Sequence, residues 1–350
     1  MIDWITFRAP LAHDASTHGP LWNGSFMSIK PDPELGEVIE FETMKRLPVE
    51  GSFSNRIMVQ STVSEGRPAV WVSGCPAKWF QGHNVHGSDD LHGLCVEMLT
   101  RLCKVLNLSP SDDDRAEWVA GNIHLTRVDV TYSWWLDTLA RARAFIRALA
   151  GSAHLRHRGA GQFKGETLYF GKTSTRWALK IYAKGLELLA RPLPLLLQET
   201  SLPVHADGLV RVELCLRSKL LSALGLDVAS AWSDNSASEL HARLLSGLEI
   251  AEATMLQVET LEGLSGRLQV VYQSWRDGHD LRSMLARNTF YRYRRELLAH
   301  GIDIAVKQER SGVDLSNVVP LRAVLVAQPV ATPDWLVGTP WHFEPRAKVA

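Results

Sequence analysis

Three stretches of the chain alternate apolar and polar residues with the period of two expected of a half-buried strand. In residues 124–132, Val128, Val130 and Tyr132 share one side, and Arg127, Asp129 and Thr131 share the other. In residues 177–184, Lys180, Tyr182 and Lys184 alternate with Leu179, Ile181 and Ala183. In residues 209–217, Val210, Val212, Leu214 and Leu216 oppose Arg211, Glu213, Cys215 and Arg217. Placed in one sheet, these strands would bring a phenol and two carboxylates together on its uncovered face, among arginines and lysines. Valine, isoleucine, phenylalanine and tryptophan content predicts further strands at 2–8, 37–43, 56–62 and 69–73. A helix capped by Ser88 or Asp89 follows, with Leu91, Leu94, Cys95, Met98, Leu102, Cys103 and Leu106 recurring at three and four. A second helix is predicted over 136–149, stopped by Gly151. The segments 166–170 and 177–184 read as a hairpin joined through 171–176. The pattern predicts an α+β fold, mainly an antiparallel sheet with helices on one face.

From about Ala231 the period becomes helical, so the expected domains are residues 1–230 and 231–350. Within the second, 281–286 and 289–300 read as two short helices across Arg287-Asn288, a helix-turn-helix-like segment over 279–301. Phe290, Tyr293, Leu297 and Leu298 form the apolar stripe of the second helix, leaving Tyr291, Arg292, Arg294 and Arg295 outward. Such arginines, with Arg287 at the turn, suit base edges or phosphates in a major groove. The same pattern fits an amphipathic helix with an arginine-rich solvent face.

Composition narrows the class. At 350 residues and 45% hydrophobic content the chain has enough apolar material for two cores. Lys plus Arg and Asp plus Glu both number 38, so net charge is silent about nucleic acid and only its distribution informs. Between Arg141 and Lys184 stand ten Lys or Arg residues and one acid, Glu166. Arg156, Arg158, Lys164, Lys172 and Arg176 belong to this island, a candidate phosphate-binding surface that includes a glycine-rich loop. Cys75, Cys95, Cys103 and Cys215 form no C-x-x-C pair, so neither a disulfide framework nor a zinc knuckle is indicated. No apolar run is long enough for a membrane helix, and no basic-then-apolar leader is evident, which suggests a cytoplasmic protein.

The candidate chemistry is phosphodiester transfer. A phenol attacks poorly at neutral pH, and cations such as Lys180 and Lys184 beside Tyr182 would favour the phenolate. Asp129 and Glu213 are hard oxygen donors suited to Mg²⁺ or Mn²⁺, with Glu187 or His83 as a third ligand and His86 a weaker candidate. Arg127 and Arg211 would bind the DNA strand beside them. Each Arg-x-Asp or Arg-x-Glu pair reads equally well as a surface salt bridge. Tyr169 is placed to share the polar face, as a second nucleophile or a platform for a base.

The whole chain resembles the gene II replication initiators of filamentous phages. The matching segments are Met1-Ile-Asp3, Pro76-Ala-Lys78, Gln81-Gly-His-Asn-Val85, Thr126-Arg-Val-Asp129, Tyr182-Ala-Lys-Gly-Leu-Glu-Leu188, Gly208-Leu-Val-Arg-Val-Glu213, Gly225-Leu226, Arg287-Asn-Thr289, Asn317-Val-Val-Pro-Leu321 and Pro333-Asp-Trp335. The resemblance implies a site-specific nickase of the double-stranded replicative form that starts rolling-circle synthesis and rejoins the displaced strand. It places the nucleophile on Tyr182, in the Tyr-x-Lys motif. It also implies work in the cytoplasm of a bacterial host beside a helicase, a polymerase and a single-strand-binding protein. Met255 lies where the family uses an internal start. The chain departs from the family in a shorter segment between Glu187 and Gly208 and in having His86. A DNA-binding regulator without nicking activity is the alternative reading.

Overall fold

In a computed structural model the described residues are 1–12, 25–31, 38–44, 46–64, 66–156, 159–250, 264–276, 278–298, 302–305, 325 and 328–345, of which 25–31, 38–44 and 159–160 are described by backbone alone. The strands are β1 (Ile2–Pro10), β2 (Ser25–Pro31), β3 (Val38–Met44), β4 (Leu47–Glu50), β5 (Arg56–Ser64), β6 (Arg67–Gly74), β7 (His124–Trp135), β8 (Ala153–Leu155), β9 (Gly159–Ala160), β10 (Gln162–Lys164), β11 (Thr167–Phe170), β12 (Trp177–Ala183), β13 (Leu209–Arg217) and β14 (Leu248–Ile250). Nine of them form one sheet in the order β10-β11-β12-β13-β7-β1-β6-β5-β4. Every pairing within it is antiparallel. The three strands with chemistry on one side therefore lie adjacent at its centre, as β12, β13 and β7.

Alternation decides what each face does. Val128, Val130, Val212, Leu214, Leu216, Leu179 and Ile181 are all buried, in one core with residues of helices Leu91–Leu106, Leu139–Ser152, Ser218–Ala223 and Ser236–Leu245. Leu91–Leu106 begins at Asp90, whose side chain accepts from the Gly93 amide at 2.8 Å, one residue beyond the expected cap. The acidic stretch that follows opens another helix, Asp112–Val119. There Ser111 and Asp114 form a capping box, and three acids occupy the first turn, where the helix dipole favours them. Helix Leu139–Ser152 is capped by Thr138, three residues later than the pattern suggested.

The opposite face is not bare. Short helices Pro76–Gln81, Lys184–Ala190, Leu195–Gln198 and Leu202–Asp207, the loop 82–87 and the segment 328–345 gather over one end of it. Gln81 fixes the loop: its amide donates to the carbonyls of His83 and His86 at 3.2 and 2.7 Å and accepts from the Phe343 amide at 2.7 Å. Phe343 stacks on Phe80 at 4.0 Å, and the Val330 amide bonds the Ser133 carbonyl of β7 at 2.8 Å.

A separate apolar cluster holds Leu264, Leu268, Val271, Tyr272, Leu281, Phe290, Leu297, Ile302 and Ile304, built on helices Gly266–Arg276, Leu281–Met284 and Arg287–Leu298. Elements beyond the boundary expected at 230/231 also pack on the sheet. Helix Ser236–Leu245 contributes Ala237 and Leu240 to the sheet's core, and residues 328–345 return to the sheet. Arg158, Met255 and the segment 317–321 lie outside the described residues.

Candidate functional site

Register builds the site. Tyr169, Lys180, Glu213 and Thr131 form one row across β11, β12, β13 and β7; Thr167, Tyr182, Arg211 and Ser133 form the next. Asp129 faces Cys215 on the far side of the first row. The Tyr182 hydroxyl donates to Glu213 Oε2 at 3.2 Å, and Lys180 Nζ donates to the same oxygen at 2.9 Å while lying 4.7 Å above the phenol ring. Tyr182 is only 6% exposed. Burial, then the charge of Glu213, pushes its phenol well above the ordinary tyrosine range. In this arrangement Tyr182 is a neutral phenol held by a carboxylate, not a phenolate between two ammonium groups as expected.

Asp129 is buried and gripped by Arg127, whose Nε and Nη2 donate at 2.9 and 2.6 Å. Burial raises the Asp129 carboxyl despite that pair. Glu213 is raised first by burial and then by the charge of Asp3, against the opposing pull of Lys180. Asp3, on β1 where a register shift separates Ile2 from Trp4, accepts from Asn84 Nδ2 at 2.7 Å and from Cys75 Sγ at 3.6 Å. It is the acid that reading by alternation missed. The signal was the single acid of the first strand, inside a segment already matched by resemblance. Between Asp129 and Glu213 the Thr131 hydroxyl is buried with no hydrogen-bond partner among the described residues.

No three His, Cys, Asp or Glu side chains among the described residues are drawn together closely enough to hold a metal ion. The donors are nevertheless of the right kind. Asp3, Asp129 and Glu213 are buried hard oxygens whose mutual repulsion a divalent cation would relieve, and Thr131 supplies an orphaned hydroxyl beside them.

The two expected third ligands are engaged elsewhere. His83 Nδ1 accepts from the Val85 amide at 3.2 Å, which leaves Nε2 to donate to the Trp341 carbonyl at 2.7 Å, so neither nitrogen has a free lone pair. Glu187 pairs with Lys184 and, at 3.6 Å, with Lys78. Burial alone would raise its carboxyl, but the two lysines outweigh burial and bring it down to about 2. His86 shares a 3.0 Å contact between Nε2 atoms with His205.

Lys184 is corrected as well. The chain turns here into helix Lys184–Ala190, with Glu187 in its first turn, so Lys184 leaves the strand and is fully buried, donating to Asn84 Oδ1 at 2.7 Å as well as to Glu187. Burial and the nearby Arg211 pull its ammonium down to about 7, against the pull of Glu187. Asn84 thus links Lys184 to Asp3.

Of the residues expected to meet DNA, Arg211 does not reach solvent. It is fully buried and holds the loop, donating to the carbonyls of Asn84 and Val85 at 2.5 and 2.6 Å and to Ser133 Oγ at 3.3 Å. Arg294 is tied to Asp303 by two bonds of 2.6 and 2.7 Å. Arg156, Lys164, Lys172, Arg176, Arg287, Tyr291, Arg292 and Arg295 are exposed, and Arg127 is half-buried. Lys172 lies 4.8 Å over the Tyr169 ring, beside the first row of the site.

Fold and site together define an α+β protein whose broad antiparallel sheet presents a phenol, three acids and a fringe of cations on one face. Comparison with known proteins names the family. The N-terminal model of the phage replication-associated proteins encoded by gene II matches residues 1–235, and the C-terminal model of the same proteins matches residues 266–340. The chain belongs to this family of phage replication-associated proteins. It is 36% identical over 340 residues to the replication-associated protein of Enterobacteria phage I2-2, covering 95% of each chain. It is 31% identical over 183 residues to that of Enterobacteria phage M13, covering 45% of this chain and 42% of the relative. Among solved structures it resembles a rolling-circle replication initiator protein from Geobacillus stearothermophilus with a TM-score of 0.35 and 13% identity, covering 73% of this chain and 88% of that one. No helix among the described residues is long and apolar enough to cross a membrane.

Proposed function

We propose that this protein initiates rolling-circle replication of a phage genome by nicking one strand of the double-stranded replicative form at its origin, with Tyr182 as nucleophile. One observation carries the reading: the Tyr182 hydroxyl donates at 3.2 Å to Glu213, on the sheet face that also bears Asp129 and Asp3. A phenol whose proton is aimed at a carboxylate needs only that carboxylate to become the better base. Burial makes Glu213 a stronger base, and it raises the phenol of Tyr182 as well, so the approach of the two groups carries the reading and not their titration.

In the step itself Glu213 takes the phenol proton and the Tyr182 oxygen bonds phosphorus. The bond from phosphorus to the 3′-oxygen breaks, and that oxygen leaves with a proton as a free 3′-hydroxyl. The product is a 5′-phosphotyrosyl protein. Phosphodiester exchange of this kind conserves the bond, so the strand is rejoined at the end of a round without ATP. Lys180, 2.9 Å from Glu213 and over the phenol ring, lies where negative charge develops. Asp129 and Glu213 would be the protein ligands of Mg²⁺ or Mn²⁺, which supplies Lewis-acid polarisation of the phosphate when bound. Tyr169, in the row of Lys180 and Glu213, is placed to serve a second transfer or to stack a base. The exposed cations of the β10–β11 edge and of helix Arg287–Leu298 supply contacts to single and double strands. The 3′-hydroxyl primes a host polymerase in the bacterial cytoplasm, and strand displacement calls for a host helicase and a single-strand-binding protein.

The test is incubation of the protein with supercoiled origin DNA and Mg²⁺, followed by peptide mapping of any DNA-linked residue. The unmodified protein nicks the DNA and carries the linkage on Tyr182, whereas Tyr182→Phe forms no adduct. An adduct that persists in Tyr182→Phe overturns the assignment. Binding without cleavage by the unmodified protein would instead mark a DNA-binding regulator.

A further inference from the structure

Beyond the carboxylates, β7 carries its polar face two residues past Ser133 to Trp135, where the sheet ends beside helix Leu202–Asp207. An open cleft of about 550 Å³ lies there, lined by Trp135, His205, Trp335, Glu199 and Ser201 among others. That volume falls within the range of roughly 300–1,000 Å³ typical of ligand sites. Its walls are aromatic. Trp135 and His205 stack with centroids 5.1 Å apart and planes 25° apart, and Trp335 meets His205 edge-on at 5.7 Å. Both tryptophans are 44% exposed, although a ring of this size is ordinarily buried when packing is its only task.

Behind them His86 and His205 share a proton-donating contact at 3.0 Å, and burial holds both imidazoles below their ordinary range. The described lining contains no Lys or Arg and includes the exposed carboxylate of Glu199. A phosphate would be repelled here. A flat, uncharged ring with amino groups on its edge would not be.

Position adds the rest. Trp135 follows Ser133 on one face of β7, and Ser133 lies in the row of Tyr182 and Arg211. Strand spacing of about 4.8 Å and a rise of about 3.3 Å per residue put the cleft on the order of 12 Å from Tyr182, within a few nucleotides along a single strand. We infer that this cleft takes an unpaired base of the single DNA strand, stacked on Trp135 and Trp335 with its edge toward Glu199. The inference rests on the nickase reading for the presence of a single strand, but not on the chemistry of cleavage. It supplies what the cationic surface lacks: a contact to a base rather than to a phosphate.

The experiment measures binding of the full chain to a fluorescent single-stranded oligonucleotide without metal, beside an oligonucleotide of equal length and charge that carries abasic sugars. The unmodified protein binds the base-bearing strand at least about tenfold more tightly than the abasic one. Trp335→Ala removes most of that margin, and Trp335→Phe restores it. Equal affinity for the two strands in the unmodified protein overturns the inference whatever the variants do. So does a margin unchanged in Trp335→Ala. Because no metal is present, the outcome is independent of cleavage. A protein with base-dependent binding that never forms an adduct loses the nickase reading and keeps the cleft. One that nicks but binds abasic strands equally well loses the cleft alone.

Discussion

On the sheet face, Arg211 and Lys184 are fully buried and direct their hydrogen bonds to the carbonyls of Asn84 and Val85, the Asn84 side chain and Glu187. On helix Arg287–Leu298, Arg287, Arg292 and Arg295 stand in solvent with no ion-pair partner among the described residues. The two regions are alike in sequence, each a short run in which cations alternate with apolar residues. They differ in what covers them. Where the loop 82–87 closes over the sheet, a cation becomes a structural post whose removal strands carbonyl oxygens. Where no described residue closes over the helix, the same residue type keeps its charge available for phosphate. Burial, and not residue identity, separates the arginine that shapes a site from the arginine whose charge stays in solvent.

The largest effect that would break this comparison lies at Arg211. Arg211→Ala leaves the Asn84 and Val85 carbonyls without their donor and opens a cavity, so the fold is expected to lose about 3 kcal/mol or more in urea denaturation. Single-strand binding at a fixed fraction folded should keep its salt dependence, because this guanidinium never meets phosphate. A stability loss under about 1 kcal/mol, joined to a shallower salt slope, would return Arg211 to the DNA-binding set.

The converse holds for Arg292→Ala combined with Arg295→Ala. Both side chains are exposed, so stability should change by no more than about 0.5 kcal/mol. The slope of log affinity against log salt for duplex DNA should fall by about one for each phosphate left without its arginine. An unchanged slope would make this helix an ordinary solvent face. Arg294 is left out of the pair because Asp303 already holds it.

Much of this arrangement was legible in the sequence because strand alternation is a local rule. It fixed the faces of β7, β12 and β13, and their adjacency in the sheet then brought Tyr182 to Glu213 and set Asp129 on the next strand. What alternation could not see was decided by residues far apart in the chain. Arg211 is buried only because a loop some 127 residues away offers it a carbonyl. The Nε2 of His83 is occupied because Trp341 returns from the far end of the sequence. Lys184 fits the strand's period, yet a helix starts there, and period two carries no warning of a change in period one residue later. Asp3 was hidden for a different reason: it sits at a register shift in β1, where alternation itself breaks.

A pH-dependent effect sharpens the buried side of the comparison. Lys184 and Lys78 hold the Glu187 carboxyl near 2, below its ordinary value of 4.5, against the opposing push of burial. A carboxyl with a depressed folded value contributes stability that is present above its unfolded value and is lost as pH falls through the folded one. For Glu187 that window runs from about 4.5 down to about 2. Glu187→Gln removes the charge and leaves Lys184 with Asn84 as its hydrogen-bond partner, for a loss of about 1–3 kcal/mol near neutral pH. Between those two pH values the variant should lose stability less steeply than the parent, and the two should converge at the acid end. Parallel curves through the window would mean that Glu187 carries no more charge-dependent stability than a solvent-exposed acid, and that the network behind Asp3 is held by Asn84 alone.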